Sequence, residues 1–150
     1  MSRKPIAGLI ACGLMSVSAA SHAFKLISEK EAALPDPPTA LVVRGITRGP
    51  GIRMAAPDPD AAVTAPFNLK VIFQPRGGSK IDTSSVRVTY LKAQPIDLSG
   101  RIKAGLSEGG IDVKNAEAPS GSHAIEISVA DSEGRKTSAV FTLKVAKKKS

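Results

Sequence analysis

"GSHAIEISVADSEGRKTSAVFTLKV", residues Gly121–Val145, decides the fold. Ile125, Ile127 and Val129 alternate with Glu126 and Ser128, and Ala139, Phe141, Leu143 and Val145 alternate with Thr142 and Lys144. A two-residue period sends one set of side chains inward and the other to solvent, which is the signature of a strand with one buried face. "DSEG" reverses the chain between the two runs, and Pro119 with Gly121 makes a turn before the first. The stretch is predicted to be a β-hairpin.

The same period recurs upstream. In "FNLKVIF", Phe67, Leu69, Val71 and Phe73 alternate with Asn68 and Lys70; in "SVRVTYLK", Val86, Val88 and Tyr90 alternate with Arg87 and Thr89. "QPRGGSKIDTS" between them is a turn-rich loop, and the glycine pairs at Gly77 and Gly109 have no following lysine and helix, so they are hairpin turns and not phosphate cradles. "PIDLSGRIKAGL" and "GIDVKNA" are weaker strands broken at Gly100, Gly109 and Gly110, "TALVVRGI" is a first apolar strand, and "RGPGIRMAAPDPDAAVTAP" is a loop. About seven short strands over roughly 100 residues, with no helix among them, predict an all-β fold: a two-sheet antiparallel sandwich.

The ends of the chain read differently. "MSRKP" carries Arg3 and Lys4, "IAGLIACGLMSVSAA" is apolar and uncharged, and "SHA" places small residues at Ser21 and Ala23. This is the layout of a signal peptide, residues 1–23, cut after Ala23. A transmembrane anchor needs about 20 apolar residues, more than this run has, so no anchor is expected after cleavage. "LIAC", ending in Cys12, resembles a lipobox, but the apolar run before Cys12 is shorter than the usual core of about 7–15 residues. Then "FKLISEKEAALPDPPTA" has a short helix-permitting piece followed by Pro35, Pro37 and Pro38, which favour extended chain. Residues 24–39 are accordingly read as a Pro-rich linker or loose arm, 40–146 as the sandwich, and 147–150 as a basic tail.

"APSGSHAIEISVADSEGRKTSAVFTLKV", together with "DAAVTAPFNLKVIFQP" and "IDTSSVRV", resembles bacterial immunoglobulin-like and cadherin-like modules over roughly residues 57–146. In those modules a Pro-x-Gly turn feeds a strand ending in Asp, a short turn and a last alternating strand. The resemblance implies an immunoglobulin-like sandwich and no single activity, because such folds host many functions. The paired cysteines and central tryptophan of antibody domains are absent, and so are the acidic clusters with which cadherins hold calcium.

Cleavage removes the only cysteine, so a disulfide, a thiolate metal site or a cysteine nucleophile is excluded from the exported chain. It leaves His123 as the only histidine. A serine triad would need His123 beside a nucleophile and an acid such as Asp131, and Ser120 and Ser122 lie in a turn without a nucleophile-elbow sequence. His123 therefore reads as the start of a strand, bonded to nearby backbone, and exchangeable for glutamine at roughly 1 kcal/mol or less. Zinc would need more ligands than one histidine supplies. Calcium would suit Asp58 and Asp60 in one loop and Asp131 and Glu133 in another if those loops met, although an Asp in such a turn more often caps its own backbone. No cofactor is expected.

The chain has 21 Lys and Arg against 13 Asp and Glu; loss of Arg3 and Lys4 leaves 19, a formal +6. Export argues against nucleic acid as the partner. Lys147, Lys148 and Lys149 instead suit contact with an anionic surface, or serve as a solvated end. Four phenylalanines, one tyrosine and no tryptophan are too few to fill a core and also pave a stacking site. The expected function is a periplasmic or secreted, non-catalytic module that binds an envelope protein or a glycan. A small hydrolase and a subunit that pairs through a sheet edge are the alternatives.

Overall fold

The computed structural model describes residues 24–38 and 47–149. The signal-peptide reading of residues 1–23, including Cys12, and the whole strand expected at "TALVVRGI" lie outside the described residues. Within them the fold is all-β, as expected, and is built as two facing sheets.

One sheet has the order β1 (Phe24–Lys25), β8 (Gly110–Glu117), β4 (Phe67–Gln74), β2 (Gly51–Ala56), with β7 (Leu106–Ser107) also paired to β8. The other has the order β3 (Ala62–Thr64), β10 (Lys136–Ala146), β9 (Gly121–Asp131), β5 (Ile81–Tyr90), β6 (Ile96–Asp97). The hairpin is the centrepiece of the second sheet: β9 and β10 pair continuously from Ala130↔Lys136 to Gly121↔Val145. Among the described residues ten strands stand where about seven were expected over the chain. The segment "RGPGIRMAAPDPDAAVTAP", read as a loop, holds β2 and β3; β1 forms in the arm, and "PIDLSGRIKAGL" divides into β6 and β7. β1, β3, β6 and β7 are two or three residues long and so carry no alternation that a sequence reading can detect, while the glycines and prolines around β2 mask its six residues. Both sheets are also mixed, because β1 runs parallel to β8 and β3 parallel to β10.

The alternation places the core as the sequence implies. Phe67, Leu69, Val71 and Phe73 of β4, Val86, Val88 and Tyr90 of β5, and Ile125, Ile127 and Val129 of β9 are all buried in one cluster with Ile111 and Leu143. Side chains of these sizes contribute roughly 1.5–3 kcal/mol each when fully buried. Gly110 lets β8 approach β4 closely: its φ is +142°, and a Cβ there would lie 1.8 Å from the carbonyl oxygen of Val71.

Two further segments depart from the sequence reading. The Pro-rich arm is not loose, since Leu26 and Ile27 are among the most buried residues of the core and Phe24–Lys25 joins a sheet. Its short helix α1 (Glu29–Ala32) opens with a capping box, in which the Glu31 N–H donates to Ser28 Oγ and the Ser28 N–H donates to Glu31 Oε2. "PIDLSGRIKAGL" is not one strand but β6, a helical turn α2 (Ser99–Ile102), a 3-10 turn over Lys103–Gly105 and β7. Leu98 and Ile102 are four apart, share one face of that turn and are fully buried, so helical spacing outweighs the weak alternation.

At the Asp82–Arg87 register break between β5 and β9 the ladder is bridged by a side chain, the Ala130 N–H donating to Ser85 Oγ at 2.8 Å. The two ends of the described chain lie together. Phe24 sits opposite Ala116 near the end of β8, Val145 opposite Gly121 at the start of β9, and only a short loop joins β8 to β9.

Candidate functional site

His123 is the third residue of β9 and is buried, 3% exposed. Its Nε2 lies 2.7 Å from the carbonyl oxygen of Pro119, which can only accept, so Nε2 carries hydrogen. In the neutral ring Nδ1 is then the acceptor, and the Tyr90 hydroxyl, 2.9 Å away, donates to it. The two rings meet edge to face with centroids 5.6 Å apart. Burial pushes the Tyr90 phenol up from its ordinary range, opposed by Lys92.

Lys92 extends this group toward the surface. It is 7% exposed, its ammonium lies 5.3 Å from the centre of the Tyr90 ring, and it donates to Asp36 of the arm at 2.6 Å. That hydrogen bond raises the Lys92 pKa, with burial acting the other way. The Ala93 N–H donates to the carbonyl oxygen of Pro35, so backbone and side chain together fasten the proline segment over this end of the sandwich. Neither ring nitrogen of His123 faces a serine. Asp131, the acid a triad would use, is eight residues further along β9, about 26 Å at the rise of a strand.

Asp131 is itself buried, and both oxygens are saturated. Oδ1 accepts from the N–H groups of Glu133 and Arg135, and Oδ2 from Ser79 Oγ and Arg135 Nε. Burial pushes its carboxyl up, but the Arg135 N–H, the Arg135 guanidinium, the Glu133 N–H and the Ser79 hydroxyl together hold it below the ordinary carboxylate value. The carboxylate thus ties the hairpin turn to the loop after β4, as the expected backbone cap and more.

The acid pairs considered for calcium are not brought together. Asp58 and Asp60 precede β3, whose Ala62 pairs with Lys144 near the end of β10, whereas Asp131 and Glu133 precede the start of β10 at Lys136. They therefore lie at opposite ends of a strand. Asp58 Oδ1 accepts from the Asp60 N–H within its own turn, and Glu133 bonds to Arg135. Among the described residues no group of three or more His, Asp or Glu side chains is placed to share a metal.

A third cluster was missed by sequence reasoning. Arg101 of α2 donates Nη1 to Glu31 Oε2 at 2.9 Å and to the Leu26 carbonyl oxygen at 2.8 Å, and Nη2 to Glu31 Oε1 at 2.5 Å. The guanidinium beside Glu31, helped by the Ser28 donors and opposed by burial, lowers its pKa to about 2. The signal for half of this was present, since "SEKE" at Ser28–Glu31 spells a capping box. The Arg101 partnership spans 70 residues and has no local signature.

Lys147, Lys148 and Lys149 are exposed beyond the last core residue, Val145. Lys147 and Lys148 edge a shallow groove with Ala65, Glu117, Ala118 and Ser120. Among the described residues no helix is long and apolar enough to cross a membrane. No protein-family model, curated protein or solved structure matches the chain.

Proposed function

We propose that the chain is exported after loss of residues 1–23 and acts as a non-catalytic, immunoglobulin-like binding or accessory module of the bacterial envelope, meeting an envelope protein or a glycan. The observation that carries this reading is how the body uses its reactive side chains. His123, Asp131 and Glu31 each have their polar atoms engaged in holding strands and loops, while Lys147–Lys149 stay at the surface.

Strand order supports the immunoglobulin-like part. Labelled in chain order, β2, β4, β8 and β7 stand where strands A, B, E and D lie in that architecture, and β5, β9 and β10 where C, F and G lie. His123 holds the place near the start of the F-equivalent strand where such domains tie a side chain to the preceding corner, here to Pro119.

The test is lysine-directed cross-linking in intact cells followed by peptide mapping. Cross-links from Lys147–Lys149 to an envelope protein, or recovery of the chain with envelope glycan, are expected. Partners confined to the cytoplasm would overturn the reading.

A further inference from the structure

The first residue after the bond cut in export, Phe24, is already part of the folded body. It is paired in a parallel ladder with Ala116, and Lys25 with Glu117. The N–H groups of Leu26 and Ile27 both donate to the Glu117 carbonyl oxygen, at 2.9 and 3.2 Å, and the Leu26 carbonyl oxygen accepts from Arg101. Both side chains are buried, at 0% and 1% exposed. The ladder begins at Phe24 itself, so no described residue intervenes between that cut and the sheet.

A protease takes its substrate as extended chain and pairs with backbone groups on either side of the scissile bond. At Phe24 and Lys25 those are the groups the ladder with β8 holds, and Leu26 and Ile27 are pinned immediately beyond. We infer that signal-peptide removal and closure of the sandwich compete for the same four residues, Phe24–Ile27, so that cleavage has to come before they dock. In the cleavage water splits the Ala23–Phe24 amide, leaving a carboxylate on Ala23 and an ammonium on Phe24, and the new terminus then enters β1. Once docked, the bond is open to attack only while the arm is locally undone, and the rate follows the population of that opened form. The inference rests on the reading of residues 1–23 as a signal peptide.

The experiment uses purified full-length precursor, refolded in detergent, with docking checked by protection of the Leu26 and Ile27 amides from hydrogen exchange. It is compared with a precursor carrying Gly-Ser-Gly-Ser between Ala23 and Phe24, which gives the bond slack and leaves the body unchanged. With a bacterial signal peptidase that cuts after small residues, the spaced precursor should be cut at least about ten-fold faster than the folded wild type. Wild-type chain presented during synthesis, before the sandwich closes, should match the spaced rate. Equal rates for the two folded precursors overturn the inference and leave the signal-peptide reading standing. Processing before Cys12, or no cut after Ala23 in either precursor, overturns both.

Discussion

Arg101 grips both carboxylate oxygens of Glu31, so a helical turn after β6 is bolted to the arm that opens the described chain. The same guanidinium reaches the Leu26 carbonyl, so one side chain secures both the cap and the buried plug of the arm. The Glu31 side chain is only 18% exposed, which limits solvent screening of the pair, and Arg101 at 35% keeps one side wet.

This pair makes the acid limb of stability predictable. The folded pKa of Glu31, about 2, lies below its ordinary value of 4.5. Its contribution is therefore complete above about pH 4.5 and fades as pH falls toward 2. Glu31→Gln should cost about 1.5–3 kcal/mol at pH 7, and the difference from wild type should shrink across that window. Urea unfolding at pH 7, 4 and 2 reads both effects.

The arm should behave as core. Leu26→Ala is expected to destabilise by about 2–5 kcal/mol, the range for a fully buried leucine, whereas Leu34→Ala at an exposed position on the same arm should change stability by no more than about 0.5 kcal/mol. Thermal or denaturant unfolding of the two variants distinguishes a docked segment from a tether.

Because His123 is buried and bonded at both ring nitrogens, its exchange for glutamine is expected to cost more than the roughly 1 kcal/mol read from the sequence. His123→Gln has to satisfy both Tyr90 and Pro119 with a differently shaped amide, and Tyr90→Phe leaves Nδ1 without its donor. Each should cost about 1–3 kcal/mol, and the double variant should cost less than the two added together. A double-mutant cycle by urea unfolding measures that coupling; simple additivity would mean the hydrogen bond contributes nothing.

Removing residues 147–150 should leave the unfolding temperature nearly unchanged, because Val145 is the last buried residue. Sedimentation with anionic vesicles should weaken and lose much of its salt dependence in the truncated chain. Association that persists unchanged places recognition on the sandwich itself.

How much was legible followed the range of each interaction. The strands β4, β5, β9 and β10 were readable because alternation is local and their inward residues are large. The arm was misread because three prolines outweighed Leu26 and Ile27, two adjacent apolar residues that follow neither strand nor helix spacing. The turn at Ser99–Ile102 hid because Gly100 looks like a strand break. At the candidate site His123 and Asp131 stood out by residue type, and their bonds to nearby backbone were foreseeable. Tyr90 meets His123, and Lys92 meets Asp36, only through the tertiary fold, across separations of 33 and 56 residues, and no motif announces such a meeting.

The closeness of Phe24 and Val145 gives the molecule a polarity. Whatever grips the chain next to Phe24 or just after Val145 holds the sandwich by the pole where β8 passes into β9. The opposite pole, made by the loop at Arg76–Lys80 and the hairpin turn that Asp131 ties to it, then stands roughly 30 Å further out, about the length of β9. A hold at one pole sets the reach of the other, as a stem sets the height of a flower.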